Sequence, residues 1–448
     1  MSTLRGRNTE DAGMSIEEIV QGICSQGAHK QLIAAQNARE ILSRETYPPI
    51  DTMIAKGVVP MLVQVLICHD NVPLQFEACW ALAIITSGNF TQRRAVVEAE
   101  AVPNFISLLS SPHVNVAEKA VWALRNIAGD GVYLSDLVIR NNIIPPLQAL
   151  LTPNTSLPLL RNIMGILLKI SINEIPPPPF DIIKMILPTL AELINHSDQE
   201  VLTDSLYAIS YLTEGSKREV QELLRVCVVP RLCELLQSRE VFIILQALNA
   251  IGQIVSVDDK HVQTIIEAGA LQTLGILLRH PISHIVEGAF RIVCFAAGMP
   301  TQIQAVIDNE LVNIAIDVLH KGDYKSQKEA IWVVERITTY GTIEQIMFLV
   351  RAGVIPPVCN FLAVKDPEFI IVALDAIEDI LNAAFNVGTT ESVCCIIKRY
   401  GGLDRIENLL HREDPKVHES AVRIIDCYFT GEEENDEDIK PKVDETRA

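Results

Sequence analysis

The chain has 448 residues, 49 % of them hydrophobic and 5 % aromatic, with a formal net charge of −19. That acid surplus argues against direct binding of nucleic acid, because neutralising phosphates needs Lys and Arg in excess on at least one surface; a basic partner fits better. No apolar run reaches the roughly 18 to 20 residues of a membrane span, and the opening "MSTLRGRNTEDAG" lacks an apolar signal core, so the chain reads as soluble, intracellular and without a membrane partner.

The first strong pattern along the chain is "GVVPMLVQVL". Its Pro60 recurs as Pro103, Pro145, Pro188 and Pro230, and then as Gln272, Asn313 and Pro356, at steps of 41 to 43 residues. Each register opens an amphipathic run such as "NFISLLSS" or "TLAELINH", the second helix of a unit. A polar turn ("SPHVNVAEKA", "SDQEVLTDS") leads into a third helix, such as "EKAVWALRNIAG", that ends in Gly or a polar breaker. A short helix such as "TQRRAVVEAEA" then connects to the next unit. Three helices at this period are the signature of an all-α armadillo-repeat solenoid, a right-handed superhelix in which each unit buries its apolar face only against its neighbours. The expected layout is a disordered segment over 1–14, about nine to ten repeats over 15–430, and an acidic disordered tail over 431–448 that carries "EEENDED".

Within "AVWALRNIAGDG", Trp122 and Asn126 are four apart and therefore share a helix face. The Trp122 position falls on Trp80, Trp122, Gly165, Tyr207, Asn249, Phe290, Trp332 and Asp375. The Asn126 position falls on Ile84, Asn126, Lys169, Tyr211, Gln253, Cys294, Arg336 and Asp379. An indole and an amide could serve packing and capping alone, but recurrence in register with Trp80 and Trp332 points to a ladder along the inner surface of the solenoid.

Other features read plainly. The ten cysteines have no C-x-x-C pair and are expected to be reduced core residues, Cys394 and Cys395 included. "PPPPF" at 176–180 reads as a linker between repeats. No P-loop, G-x-S-x-G or H-E-x-x-H motif is present, and no metal or cofactor is implied, so the chain is expected not to be an enzyme.

The stretches "FEACWALAIITSG", "EKAVWALRNIAGDG", "YAISYLTEG", "QKEAIWVVERITTYG" and "LDAIEDILNAA" resemble the armadillo array of importin alpha, and the likeness runs from about residue 15 to 430. The resemblance implies a nuclear-transport adaptor, in cytoplasm and nucleus, whose groove grips the basic localisation signal of a cargo protein as an extended peptide. Successive indoles would sandwich the stems of Lys or Arg, at about 0.5 to 2 kcal/mol each, while the Asn amide pairs with the peptide backbone. The peptide-binding residues implied are Trp80, Ser87, Gly88, Trp122, Asn126, Asp130, Tyr211, Gln253, Glu329 and Trp332. Asp130, with the backbone around Ser87 and Gly88, would take a buried lysine; Glu329 and Trp332 would serve a second, smaller site.

This chain departs from that ladder, with Gly165, Tyr207 and Phe290 where the family has Trp, and Arg93 where it has Thr near the lysine pocket. Lys169, Arg125, Arg93 and Arg336 carry the wrong sign for a basic ligand, so affinity for ordinary signals is expected to be reduced. Gly165 is expected to leave the slot beside Trp122 open on one side. Only Arg5 and Arg7 precede the first repeat, so capture by importin beta is not expected and the groove should stand open; the C-terminal repeats would meet the export receptor of importin alpha. The alternative is a non-transporting armadillo scaffold or competitor with a rewired groove.

Overall fold

The computed structural model describes residues 14–44, 47–172, 177–215 and 217–430, and every regular element among them is a helix. Arg5, Arg7 and the acidic run at 432–438 lie outside the described residues, as do the segments expected to be disordered apart from Met14. No helix there is long and apolar enough to cross a membrane, and no His, Cys, Asp and Glu group could hold a metal ion. The chain packs as two units, residues 1–226 and 227–448.

Each repeat is organised around one long helix. In Val114–Ala128, the buried residues Val116, Ala117, Ala120, Val121, Ala123, Leu124, Ile127 and Ala128 recur at three- and four-residue spacing and cover more than half the helix surface. Such a helix needs apolar neighbours on two sides. In the first unit, Ala28–Arg44, Val72–Thr86, Val114–Ala128, Leu157–Ser171 and Gln199–Thr213 pack in series, each on the next. In the second, Val241–Val257, Ser283–Ala296, Tyr324–Tyr340, Pro367–Asn386 and Pro415–Tyr428 do the same. The shorter helices, among them Ala101–Leu108 and Leu311–Lys321, pack on their own long helix and close each repeat from outside the row.

Polar caps fix where the long helices start. The side chains of Asn71, Ser156, Asp198, Asp323 and Asp366 each accept from a backbone N–H of the first turn. A second recurring device is a residue in the left-handed region just before the second helix: Gly57, Glu100 and Asn142 in the first unit, and Cys227, Gly269, Glu310, Gly353 and Gly401 in the second. The repeat with Pro188 lacks this corner, because Phe180–Leu193 runs as one helix through the position where the others break. The expected short connecting helix is therefore fused to the second helix there. Pro177 and Pro178 lead into it and line a cavity of about 220 Å³ with Ser171, Tyr211 and Glu214.

The cysteine expectation holds for four of the ten. Cys79, Cys233, Cys359 and Cys394 are buried and Cys294 is half-buried, whereas Cys24, Cys68, Cys227, Cys395 and Cys427 are exposed. Cys395 is displaced from the core because its neighbour Cys394 takes the inward position of the Thr390–Arg399 helix. None of the ten forms a disulfide.

Asp323 caps Tyr324–Tyr340 by accepting from Lys325 N at 3.0 Å, Ser326 N at 3.1 Å and Ser326 Oγ at 2.9 Å. The Ser326 backbone bond, ahead of the other contacts, holds its carboxyl below the usual carboxylate range. A depressed folded pKa makes the cap's contribution complete above the ordinary value of about 3.9, and lost as pH falls through the lower folded value. Asp323→Ala is expected to cost about 1 kcal/mol at neutral pH. In urea unfolding series, the gap between variant and native should narrow as the pH is taken below about 4.

Candidate functional site

The long helices leave one register that packing cannot use. In Val72–Thr86 the fully buried Cys79 and Ala81 flank Trp80, and in Val114–Ala128 the fully buried Val121 and Ala123 flank Trp122. The intervening indole therefore points off the core, and both Trp80 and Trp122 are half-buried. Trp80 meets Phe76 edge-on, with ring centroids 5.4 Å apart. Arg39 Cζ lies 4.9 Å from the Trp80 ring, and Arg39 is itself held by Glu77 at 2.8 Å. Lys119, one turn before Trp122, places Nζ 4.2 Å from the Trp80 ring centroid and 5.6 Å from that of Trp122. A lysine of the chain itself thus sits over both indoles.

Asp130 closes the Trp122 helix at its C-terminal end. Its carboxylate accepts from Arg93 Nε at 2.5 Å, and Arg93 Nη1 also donates to the carbonyls of Gly88 at 2.5 Å and Thr86 at 3.2 Å. Arg93 stands on Phe90–Glu98, which starts at a capping box between Asn89 and Gln92. From there the guanidinium reaches the ends of two long helices, where unpaired carbonyls and the helix dipole favour a cation. Arg93 and Asp130 expose 18 % and 22 % of their side chains, which makes this a largely sheltered pair. The like charge expected to repel a ligand from outside the pocket is instead bound inside it. Ser87 is exposed, with Oγ donating to the Ile84 carbonyl at 2.6 Å.

Asn126 is half-buried and its amide is partly engaged, donating to Thr86 Oγ1 at 3.2 Å and to the Ala83 carbonyl at 3.4 Å. The slot expected to be open beside Trp122 is filled. Arg125 lies over Gly165, where an added Cβ would come within 2.4 Å of Arg125 Nε, and its Nη1 donates to Asn162 Oδ1 at 2.9 Å. The missing ring has been replaced by a guanidinium plane from the preceding helix. Lys169 is exposed, Tyr211 is half-buried, and 37 % of Tyr207 is exposed. Burial, reinforced by Glu200, pushes the Asp204 carboxyl up, against the pull of Arg125 and Lys169.

In the second unit, Gln253 is half-buried and Asn249 exposed. The next ladder position requires a correction. Phe290 is fully buried, and the residue that stands off the core is Arg291. The buried residues Ala289, Phe290, Ile292 and Val293 flank Arg291 as Ala120, Val121, Ala123 and Leu124 flank Trp122. The ladder pair is therefore Arg291 and Phe295, one residue beyond Phe290 and Cys294. The apolar doublets carried that signal in the sequence, and so did the repeat marker, since Arg291 follows Gln272 by the same 19 residues by which Trp122 follows Pro103.

Trp332 is half-buried and meets Phe369 at 6.3 Å in an edge contact. Lys328, one turn earlier, lies 4.4 Å from the Phe369 ring, 4.9 Å from the Tyr324 ring and 3.4 Å from Asp366. Burial, reinforced by Glu287, pushes the Glu329 carboxyl up; Arg291 and Lys328 oppose this. Arg336 turns from Trp332 to Tyr340, whose ring it covers at 4.8 Å, and its Nε is buried without a partner, as is Glu287 Oε1.

Sequence reasoning missed Lys119, Arg39 and Arg291 in this arrangement. Replacing Phe290 by Ala should cost about 3 to 5 kcal/mol in chemical unfolding, the price of emptying a filled core position. Arg291→Ala should stay under about 1 kcal/mol; the reverse order would restore the uncorrected register.

Comparison with known proteins agrees with this architecture. Residues 46–87, 89–129 and 342–381 match the armadillo/beta-catenin-like repeat, and residues 391–442 match the atypical Arm repeat. A solved engineered protein superposes with a TM-score of 0.70 at 26 % identity, covering 92 % of this chain and 98 % of that one. Importin subunit alpha-1b of Oryza sativa subsp. japonica is 37 % identical over 424 residues, 93 % of this chain and 79 % of that protein. Importin subunit alpha-4 of Arabidopsis thaliana is 39 % identical over 427 residues, 94 % of this chain and 79 % of that protein. With importin subunit alpha-8 of Arabidopsis thaliana the identity is 30 %, over 91 % of this chain and 92 % of that protein. An armadillo stack with half-buried indoles in one register, matched along nearly its whole length by such relatives, belongs to the importin subunit alpha family of nuclear-import adaptors and is not an enzyme.

Proposed function

We propose that the chain binds basic nuclear localisation signals as extended peptides laid across its long helices, acting as a transport adaptor in cytoplasm and nucleus with reduced affinity for ordinary lysine-rich signals. One observation carries this reading: Trp80 and Trp122 stand half-buried in one register on neighbouring long helices, with Asn126 on the second helix and Asp130 just past its end. Two indoles one repeat apart offer faces for aliphatic stems and cationic heads, and the Asn126 carbonyl oxygen can accept from a peptide backbone N–H. Trp332 with Glu329 supplies a second, smaller stretch in the other unit. Burial pushes the Glu329 carboxyl up, and an arriving lysine would oppose that shift.

Reduced affinity follows from the local charges. Arg93, Lys119 and Arg125 lie on the acceptors and faces that a basic peptide would use, and like charges about 4 Å apart repel by about 1 kcal/mol in water and more near protein. The same pairing of Arg93 with Asp130 favours a second reading, an armadillo scaffold that has left transport and takes other partners on this face.

Titration of a fluorescent lysine-rich peptide tests the first reading. Weak, saturable binding is expected, weakened further by raised salt and lost in Trp122→Ala. Flat curves for the native chain at low salt would favour the scaffold.

A further inference from the structure

We propose that Arg93 and Lys119 are specificity-determining residues, built-in occupants of the two cation subsites of the first unit that a lysine-rich peptide must displace. The inference rests on the reading of Trp80, Trp122 and Asp130 as a peptide site, and deepens it.

The Asp130 subsite offers a cation three oxygens: the Asp130 carboxylate and the carbonyls of Gly88 and Thr86. Arg93 donates to all three, with two nitrogens and distances of 2.5, 2.5 and 3.2 Å. An entering lysine finds Asp130 Oδ2 and the Gly88 and Thr86 carbonyls already used by Arg93, which leaves it only the second carboxylate oxygen of Asp130. It also meets a pocket whose charge is already balanced, so entry without release of Arg93 leaves one uncompensated cation in a sheltered place. The guanidinium needs a rotation about its side-chain bonds, not a change of fold, to leave, because it reaches the pocket from the short Phe90–Glu98 helix.

The indole subsite is occupied by the same logic. Lys119 Nζ takes the cation position over Trp80 at 4.2 Å and stays within reach of Trp122 at 5.6 Å, which is within the roughly 6 Å of a cation–π contact. Lys119 makes no ion pair among the described residues, so its place is set by the rings and not by a carboxylate. On the far side of Trp122 the pattern repeats, with Arg125 over Gly165. Three neighbouring positions each hold a cation supplied by the chain, although the protein as a whole carries a net charge of −19.

The test measures the affinity of one fluorescent lysine-rich peptide for the full chain and for Arg93→Thr, Lys119→Gln and the double variant, each checked for native unfolding behaviour. Removing one occupant is expected to tighten binding about threefold to tenfold, and removing both by more than tenfold. Asp130→Asn added to the double variant should take away the share contributed by Arg93→Thr. Lys119 is half-buried on a helix surface, so Lys119→Gln alone still decides the indole subsite should Arg93→Thr unfold the chain. Equal affinity in native and double variants overturns the proposal and leaves the peptide site standing. No binding by any variant, with all of them folded, overturns the peptide site and this proposal together.

Discussion

The long helix of each repeat carries apolar doublets such as Val116 with Ala117, Ala120 with Val121, and Ala123 with Leu124. These can leave water only between the helix before and the helix after, because no repeat has a face of its own wide enough to cover them. Helices locked into rows in this way must keep the same rotation about their axes from one repeat to the next. The position between doublets is therefore held off the core in every repeat, whatever residue stands there. Trp80, Trp122, Tyr207, Asn249, Arg291, Trp332 and Asp375 all escape full burial, and Gly165 is covered only because Arg125 lies on it. The ladder is a by-product of packing, available to chemistry without cost to the stack.

What the chain has done with that free register is electrostatic. Cations from one repeat reach back or forward to acceptors and rings on the next: Arg39 to Glu77 and Trp80, Arg93 to Asp130, Arg161 to Asp198 and Glu200, Lys328 to Asp366 and Phe369. Each reaches across about one repeat, and each ties neighbouring long helices together on the side that faces away from the core. Pairs of this kind are partly sheltered and contribute modestly to stability, but they set the potential that an approaching peptide meets.

The fold was readable from the prolines and the spacing of apolar residues, since both are local consequences of helix geometry. The fine register was less so. Between Asn249 and Trp332 the repeat marker changes from proline to Gln272 and Asn313, yet Arg291 keeps from Gln272 the offset of 19 residues that Trp122 keeps from Pro103, and Phe290 on the ladder is a slip of one residue against it. At the candidate site, Trp122, Asn126 and Asp130 were legible because they follow one another at spacings of four, and Trp80 because it stands one repeat earlier in the same register. Arg93 could be named as an odd charge near the pocket but not as its occupant, and Lys119 drew no notice. Whether a long side chain repels from a distance or fills the cavity depends on torsions and on a partner 37 or 39 residues away, and no periodicity encodes that.

The corners ahead of the second helices adopt the same left-handed conformation whether the residue is glycine, as at Gly57, Gly269, Gly353 and Gly401, or Glu100, Asn142, Cys227 and Glu310. A backbone torsion that persists through such different side chains is imposed by the closure of the two helices it joins, and Glu100, Cys227 and Glu310 each store on the order of 1 kcal/mol of strain there. The stack thus has thermodynamic slack at positions remote from the ladder. Glycine at Glu100 or Glu310 would release that strain, offset in part by the greater freedom of the unfolded chain, and so could compensate a drift in the charged side chains without touching them.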